Sequence, residues 1–147
     1  MSFCKIKPVV NHFEFHLCYI QKSLKEFCDN QNIAVISYYP LPPENRFKIY
    51  IIPNYNSEFD ILQDSFLKEL AEKYDKTPRQ IILNWHHKMG CIPVPSTSKN
   101  YRFQEYLDSF DFEMEEKDFE EISRHFKQMP LKRFMGCKRY FGINILA

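Results

Sequence analysis

Five side chains that donate hydrogen bonds lie close together in the second half of the sequence. Ser96, Thr97, Ser98 and Lys99 are consecutive, and Arg102 follows three residues later. Hydroxyl groups, cations and the unpaired backbone N–H groups at a helix start are donors that hold a phosphate group in proteins. The spacing therefore predicts an anion site at the beginning of a helix. An ordinary capped helix start with solvated cations is the alternative that these residues leave open.

The segments before this site indicate how it would be positioned. Thr77, Pro78 and Gln80 give the T-x-x-Q pattern of a capping box, with proline at the first helical position. Gly90 suits the left-handed residue that ends a helix. The apolar run 91–95 is too short for a helix and fits a buried strand. We therefore predict a helix, a strand and a second helix, in this order.

Two pairs of histidines could also carry chemistry. His12 and His16 share one face of a strand by the two-residue period, so a zinc pair is conceivable, but no third ligand lies at a recognisable spacing. His86 and His87 end a helix, where the helix dipole favours cations, and we expect both imidazoles at the surface. The sequence identifies no metal site and no Ser-His-Asp or Cys-His arrangement.

The composition indicates a folded domain without a nucleic-acid or membrane partner. Hydrophobic residues make up 44% of the 147 residues, and the net charge of +1 argues against nucleic-acid binding. No apolar run is long enough to span a membrane, and the first residues lack a secretory signal, so we expect a cytoplasmic location. The odd number of cysteines favours thiols over a disulfide framework; they are Cys4, Cys18, Cys28, Cys91 and Cys137.

The remaining segments alternate between strand and helix, which is typical of an α/β domain with parallel strands. β-Branched and aromatic residues predict strands near 8–14, 33–39 and 91–95. Apolar spacing predicts helices near 19–30, 59–74, 77–90 and 115–126. We expect a long loop over 40–57 and an irregular basic tail over 127–147.

Several of these segments resemble one known family in order and spacing. The motifs are PVVNHFEFH (8–16), VISYYPL (35–41), KTPRQIILNW (76–85), GCIPVPSTSKNYRFQE (90–105) and FDFEM (110–114). They are similar to the C-terminal half of aldo-keto reductases, (β/α)8 barrels that move hydride between NADPH and carbonyl compounds. The resemblance implies that residues 1–147 form one α/β unit, a partial TIM barrel that contributes strands six to eight with their helices.

The resemblance also implies a cofactor-binding wall for NADP(H). Tyr38 matches a tyrosine that stacks on the nicotinamide, the backbone at Leu41 lines the pyrophosphate, and Glu105 matches an acidic residue near adenine. Thr97 matches a phosphate-binding serine, and Arg102 matches the arginine that grips the 2′-phosphate. Together with the phosphate pattern, this gives the predicted cofactor-binding set His12, Tyr38, Leu41, Ser96, Thr97, Ser98, Arg102 and Glu105.

Several positions depart from the family pattern at this wall. The family's glutamine, lysine, serine, glycine and asparagine are replaced here by His12, Ser96, Tyr39, Pro42 and Tyr106. These changes predict that NADP(H) binding is weak or lost. If either cofactor binds, we expect a preference for NADP(H) over NAD(H), because the planar guanidinium of Arg102 matches a phosphate.

The family's catalytic tetrad of Asp, Tyr, Lys and His lies in the first half of the barrel, outside the matching segments. The resemblance therefore implies no catalytic residue in this chain and no hydride transfer by the chain alone, because the carbonyl group has no proton donor. Three barrel strands keep two open edges, so we expect pairing with a complementary barrel half or self-association. A non-catalytic interaction or regulatory module and a truncated gene product are the alternatives.

Overall fold

A parallel three-stranded sheet forms the centre of the fold. The computed structural model describes residues 4–41 and 60–127. The strands lie in the order β1 (Val10–Glu14), β2 (Ala34–Tyr38) and β3 (Cys91–Val94). The three predicted strands are confirmed, each one or two residues shorter than the pattern indicated. Because parallel strands need crossover connections, the helices between them follow from this topology.

Helices occupy most of the remaining described chain: α1 (Lys22–Asn30), α2 (Ser65–Lys73), α3 (Pro78–Lys88), α4 (Tyr101–Leu107) and α5 (Glu116–Lys127). None of the helices within residues 4–41 and 60–127 has the length and apolar character needed to cross a membrane. Most of the predicted loop over 40–57 and nearly all of the predicted tail over 127–147 lie outside the described residues.

α3 begins and ends as its sequence predicts. The Thr77 hydroxyl accepts the Gln80 backbone N–H at 3.3 Å, and the Gln80 side chain accepts the Thr77 backbone N–H at 2.9 Å. These two bonds form the predicted capping box. Gly90 has φ +70°, the left-handed conformation expected after the helix. The cap and the glycine together fix where the chain leaves α3 and enters β3.

The helices cover one face of the sheet. Val35 and Cys91 pair in register, and both are buried on the side of α1 and α3. Ile36 and Ile92 also pair, but side chains alternate along a strand, so they lie on the opposite face. There Ile92 is 53% exposed. The core therefore lies between the sheet and its helices, while the second face of the sheet is open.

Trp85 lies at the centre of this core. Its ring is fully buried and stacks on Phe15 with 5.9 Å between ring centroids. The indole N–H donates to Ser123 Oγ at 2.9 Å, which ties α5 to α3. Burying a side chain such as Phe15 contributes roughly 1.5–3 kcal/mol to folding.

Both outer strands have an edge with no neighbouring strand in the described part of the chain. β3 contains Pro93, which has no backbone N–H and therefore removes one donor from the ladder. Proline in a sheet is typical of edge positions.

The helix predicted over 59–74 is interrupted. A single 3-10 turn, Ile61–Gln63, precedes α2, and Asp64 separates the two. The Asp64 carboxylate accepts the Leu67 backbone N–H at 3.1 Å and so caps α2. An aspartate side chain that bonds to the following backbone starts a new helix instead of continuing the old one.

Two predictions about burial were wrong. Phe27, expected on the apolar face of α1, is 48% exposed, whereas Lys25 is buried and its Nζ donates to Asp29 Oδ1 at 2.6 Å. His86, expected at the surface, is fully buried, whereas His87 is exposed as predicted. On α1 the residue that faces the core is Lys25, two positions before Phe27. On α3 it is His86, one position before His87.

Candidate functional site

Several of the predicted cofactor-binding residues lie at or just after the carboxyl ends of the parallel strands. Tyr38 is the last residue of β2 and pairs in register with Val94, the last residue of β3. Leu41 follows β2, and the segment 96–98 follows β3. The carboxyl ends of neighbouring parallel strands meet at one edge of a sheet, where α/β proteins bind ligands. The fold therefore brings these segments to a common edge.

His12 and Tyr38 are in contact. Their rings meet edge to face with 5.2 Å between centroids, and Tyr39 meets Tyr38 edge to face at 5.7 Å. His12 is exposed and Tyr38 is half-buried. The tyrosine ring is thus held by two aromatic neighbours and still reachable from solvent. A ring in this state can stack on a flat heterocycle.

The phosphate segment differs from its prediction in one respect. Residues 96–100 are not helical, and α4 begins only at Tyr101. Thr97 Oγ1 accepts the Lys99 backbone N–H at 3.1 Å, and such a side-chain bond to the backbone competes with helix formation. Ser96 and Ser98 are exposed. The hydroxyl donors therefore line a loop before α4 and not its first turn.

Arg102 lies in the first turn of α4 and is only 7% exposed. Its guanidinium carbon is 5.7 Å from the centroid of the Tyr101 ring, and Lys99 Nζ is 5.9 Å from the same centroid. The electron-rich face of an aromatic ring attracts cations. Two positive charges are therefore concentrated at the start of α4, next to the hydroxyl loop.

Glu105 is hydrogen-bonded to two residues at the start of α3. The Thr77 hydroxyl donates to Glu105 Oε1 at 2.7 Å, and Gln80 Nε2 donates to the Glu105 carbonyl oxygen at 3.0 Å. The capping box of α3 therefore positions α4 as well. The sequence predicted the capping box but not the contacts that it makes with Glu105 of α4.

The sequence did not predict a buried polar pair at the end of β1. Glu14 ends β1 and is fully buried, and its Oε1 lies 3.2 Å from His16 Nε2. Burial lowers the pKa of His16, although the neighbouring Glu14 carboxylate opposes this shift. Burial, and then the charge of Glu14, raise the pKa of Tyr39. Glu14, a charged residue between Phe13 and Phe15, is the feature of the sequence that could have indicated this pair.

The conceivable zinc pair receives no support from the geometry. The His16 ring contacts Glu14, whereas the His12 ring contacts Tyr38. Across residues 4–41 and 60–127, no group of three or more His, Cys, Asp or Glu side chains is placed to hold a metal ion. Within the same ranges no disulfide forms, and Cys28 and Cys91 are buried.

This arrangement fits a phosphorylated dinucleotide. Exposed hydroxyls at Ser96 and Ser98, with Lys99 and Arg102 beside them, suit phosphate groups. Tyr38 at the neighbouring strand end suits a heterocyclic ring. NADP(H), the cofactor that the resemblance implies, has both kinds of group.

Comparisons with known proteins agree with the motif resemblance. The model of the Aldo/keto reductase family matches residues 4–127. The chain is 32% identical over 119 residues to the 9,11-endoperoxide prostaglandin H2 reductase of Trypanosoma cruzi, covering 81% of this chain and 38% of that protein. Many further proteins match as well.

Solved structures lead to the same family. An aldo/keto reductase from Brucella melitensis superposes with a TM-score of 0.66 at 31% identity, covering 81% of this chain and 39% of that one. A Gox0644 mutant in complex with NADPH superposes with a TM-score of 0.69 at 30% identity, covering 84% of this chain and 40% of that one.

The matches cover only part of the length of each relative. This chain spans about two fifths of the length of the relatives it matches. The matched region includes the sheet, all five described helices and the predicted cofactor-binding residues. On its sequence and its fold, the chain belongs to the aldo/keto reductase family.

Proposed function

We propose that this chain is the cofactor-binding portion of an NADP(H)-dependent aldo-keto reductase. It corresponds to strands six to eight of the (β/α)8 barrel, binds NADP(H) weakly, and transfers no hydride on its own. The observation that carries the proposal is the common edge at which Tyr38, the loop 96–98 and Arg102 lie. An NADPH complex among the solved relatives at 30% identity supports the cofactor assignment.

Each cofactor group has a candidate partner in this chain. Tyr38 and His12 would contact the nicotinamide, and the loop 96–98 would receive the phosphates. Arg102 would face the 2′-phosphate, because its planar guanidinium can donate two parallel hydrogen bonds to phosphate oxygens. Glu105 would lie near the adenine, held in place by the Thr77 hydroxyl.

The cofactor assignment is tested by comparing NADPH with NADH. We expect NADPH to bind about tenfold more tightly by fluorescence titration, which corresponds to roughly 1.4 kcal/mol for contacts with the 2′-phosphate. Arg102→Ala should abolish the difference. Arg124→Ala is the matched control, because Arg124 is an exposed arginine on α5 whose Nη2 contacts Glu121 Oε1 at 3.3 Å. Equal affinities in the unsubstituted chain would contradict the proposal.

The absence of turnover is tested separately. Purified chain with NADPH and a generic aldehyde should oxidise NADPH no faster than buffer does, because the resemblance places the proton-donating tyrosine in the other part of the barrel. A full-length aldo-keto reductase assayed in parallel is the positive control. Turnover above background by the chain would contradict this part of the proposal.

A non-catalytic interaction module is the second candidate function. The exposed apolar face of the sheet favours it, since such faces mark binding surfaces. NADPH binding that depends on Arg102 would distinguish the first candidate from the second. We also propose a cytoplasmic location; buried thiols at Cys28 and Cys91, without disulfides in the described ranges, fit a reducing compartment.

A further inference from the structure

His12 is a titratable side chain beside the tyrosine of the candidate cofactor site. It is exposed, and it lies on β1 on the face of the sheet opposite the helices. Glu14, two residues later on the same face, pairs in register with Tyr38 of β2, which brings Tyr38 to this face as well. The rings of His12 and Tyr38 meet edge to face with 5.2 Å between their centroids. A heterocycle that stacks on Tyr38 therefore lies close to the His12 imidazole.

The imidazole is a group whose charge can change near neutral pH. Histidine is the side chain that ordinarily gains or loses its proton between about pH 5 and 8. Protonation of His12 places a positive charge beside Tyr38, whereas loss of the proton leaves a neutral ring that can still donate one hydrogen bond. The electrostatic surroundings of a ligand on Tyr38 therefore depend on the state of His12.

The strand ends around His12 carry four further titratable groups, which are Glu14, His16, Tyr38 and Tyr39. β2 is the only strand beside β1 in the described part of the chain. Glu14 Oε1 lies 3.2 Å from His16 Nε2, and both side chains are buried. Burial lowers the pKa of His16, so this ring binds a proton less readily than an imidazole in water. Burial, and then the charge of Glu14, raise the pKa of Tyr39, and tyrosine hydroxyls are ordinarily neutral below about pH 9. Of these groups, His12 is the imidazole that is open to solvent.

The two oxidation states of a nicotinamide cofactor differ in charge at the ring. The oxidised ring of NADP⁺ is a cation, whereas the reduced ring of NADPH is neutral. The remaining groups of the cofactor, including the 2′-phosphate, are the same in both forms. A positive charge beside the ring therefore repels the oxidised form and has little effect on the reduced one.

We propose that His12 gives the cofactor site a pH-dependent preference for the reduced form. When the imidazole is protonated, it weakens the binding of NADP⁺ and leaves that of NADPH nearly unchanged. The chain then selects NADPH more strongly as the pH falls. This inference rests on the proposed function, and it adds a preference for one oxidation state that the assignment of the cofactor does not contain.

The test measures the dissociation constants of NADP⁺ and NADPH with the full 147-residue chain. Isothermal titration calorimetry gives both constants at about pH 8 and at about pH 6, on either side of the ordinary histidine titration. We expect the ratio of the NADP⁺ constant to the NADPH constant to rise about fivefold from the higher to the lower pH, because the two charges lie close together but are partly solvated. The ratio is used because both forms carry the same 2′-phosphate, whose own protonation near pH 6 then cancels.

Three substitutions identify the residue that is responsible. His12→Gln cannot take up a proton, so the ratio should stay low at both pH values. His12→Lys is charged at both pH values, so the ratio should stay high at both. His87→Gln is the matched control, because His87 is an exposed imidazole on α3 whose ring contacts Phe110 and not Tyr38. This variant should keep the fivefold rise.

The outcomes separate this inference from the proposed function. A ratio that does not change with pH in the unsubstituted chain, while both forms bind, overturns only the preference for the reduced form. A rise that persists in His12→Gln, or that is lost in His87→Gln, also overturns it, because another group or the general charge is then the cause. If neither form binds at either pH, the proposed function fails and this inference fails with it. Circular dichroism at both pH values checks that each variant is folded.

Discussion

Nε2 of His86 lies 3.0 Å from the carbonyl oxygen of Phe15, a residue 71 positions earlier in the sequence. Nδ1 of the same ring lies 2.8 Å from the Ile82 carbonyl oxygen, one turn earlier in α3. The imidazole therefore connects α3 to the end of β1. Burial lowers its pKa to about 4, although both carbonyls favour the protonated ring. At neutral pH the ring is uncharged and donates to one of the two carbonyls.

The stability of the fold should therefore fall as the pH is lowered from about 6.5 to about 4. In this range the unfolded chain binds a proton at His86 while the folded chain does not, so acid favours unfolding. The shift from 6.5 to about 4 corresponds to roughly 3 kcal/mol. Urea denaturation at pH 7 and pH 4.5 measures the loss.

His86→Gln and His87→Gln separate this residue from the other titrating groups. His87→Gln changes an exposed neighbour and should keep the full pH dependence, whereas His86→Gln should reduce it. Equal slopes in the two variants would show that His86 does not cause the effect.

Removing the hydroxyl of Thr77 should destabilise the fold by about 1–2 kcal/mol. Thr77→Val keeps the shape of the side chain but loses the bond to Glu105 and the cap on the Gln80 backbone N–H. Thr77→Ser retains both groups and should stay within about 0.5 kcal/mol of the unsubstituted chain. Urea midpoints give the comparison. Valine and serine variants of equal stability would contradict the dual role of this hydroxyl.

Asp118 should be the most sensitive acidic residue of α5. It is buried, it accepts Lys73 Nζ at 2.7 Å, and it accepts the Tyr74 hydroxyl. Burial alone raises its pKa, but the hydrogen bonds from Lys73 and Tyr74 outweigh burial, and the pKa lies below its usual value. This contribution to stability is present above the unfolded pKa of 3.8 and is lost as the pH falls.

Asp118→Asn should therefore cost about 1–3 kcal/mol at pH 7, because a charge-assisted contact is weakened. Glu120→Gln, an exposed change two residues later, should have little effect. Thermal unfolding of both variants makes the measurement. A loss in Glu120→Gln as large as that in Asp118→Asn would point to helix charge in general and not to the contact with α2.

Gly90→Ala should destabilise the fold by about 1–2 kcal/mol, because φ is +70° and a side chain rarely adopts that conformation. Space is not the cause, since an added Cβ would lie 3.6 Å from Lys25 Nζ, an ordinary contact. Gly90→Asn should cost less than alanine, because asparagine tolerates the left-handed region. If alanine proved the milder change by urea denaturation, backbone strain would not be the reason.

The sequence predicted the elements well where local chemistry determines them. The capping box at Thr77, the left-handed Gly90 and the apolar runs of the strands all depend on neighbouring residues, and each was confirmed. The residues near the strand ends could be placed together because parallel strands present their carboxyl ends at one edge. Their assignment to individual cofactor groups came from the family resemblance and stays a prediction.

Tertiary packing determined the features that the sequence did not predict. His86 and His87 are equivalent as a local pattern, and only the distant Phe15 carbonyl makes the first one a core residue. Lys25 is buried with its Nζ 2.6 Å from Asp29 Oδ1, whereas Phe27 is 48% exposed, and the apolar pattern of α1 did not indicate this exchange. The contact between Glu14 and His16 was not predicted, because in the sequence Glu14 is a single carboxylate on a strand and His16 a conceivable zinc ligand.

Pro93 has a practical consequence for the purified chain. Flat strand edges template the growth of fibrils, because each added molecule finds a full row of backbone donors and acceptors. The missing donor at Pro93 interrupts that row in the middle of β3. Storage losses from edge-to-edge polymerisation should therefore begin at β1, and a lysine introduced at Val10 would be the first substitution to try for longer shelf life.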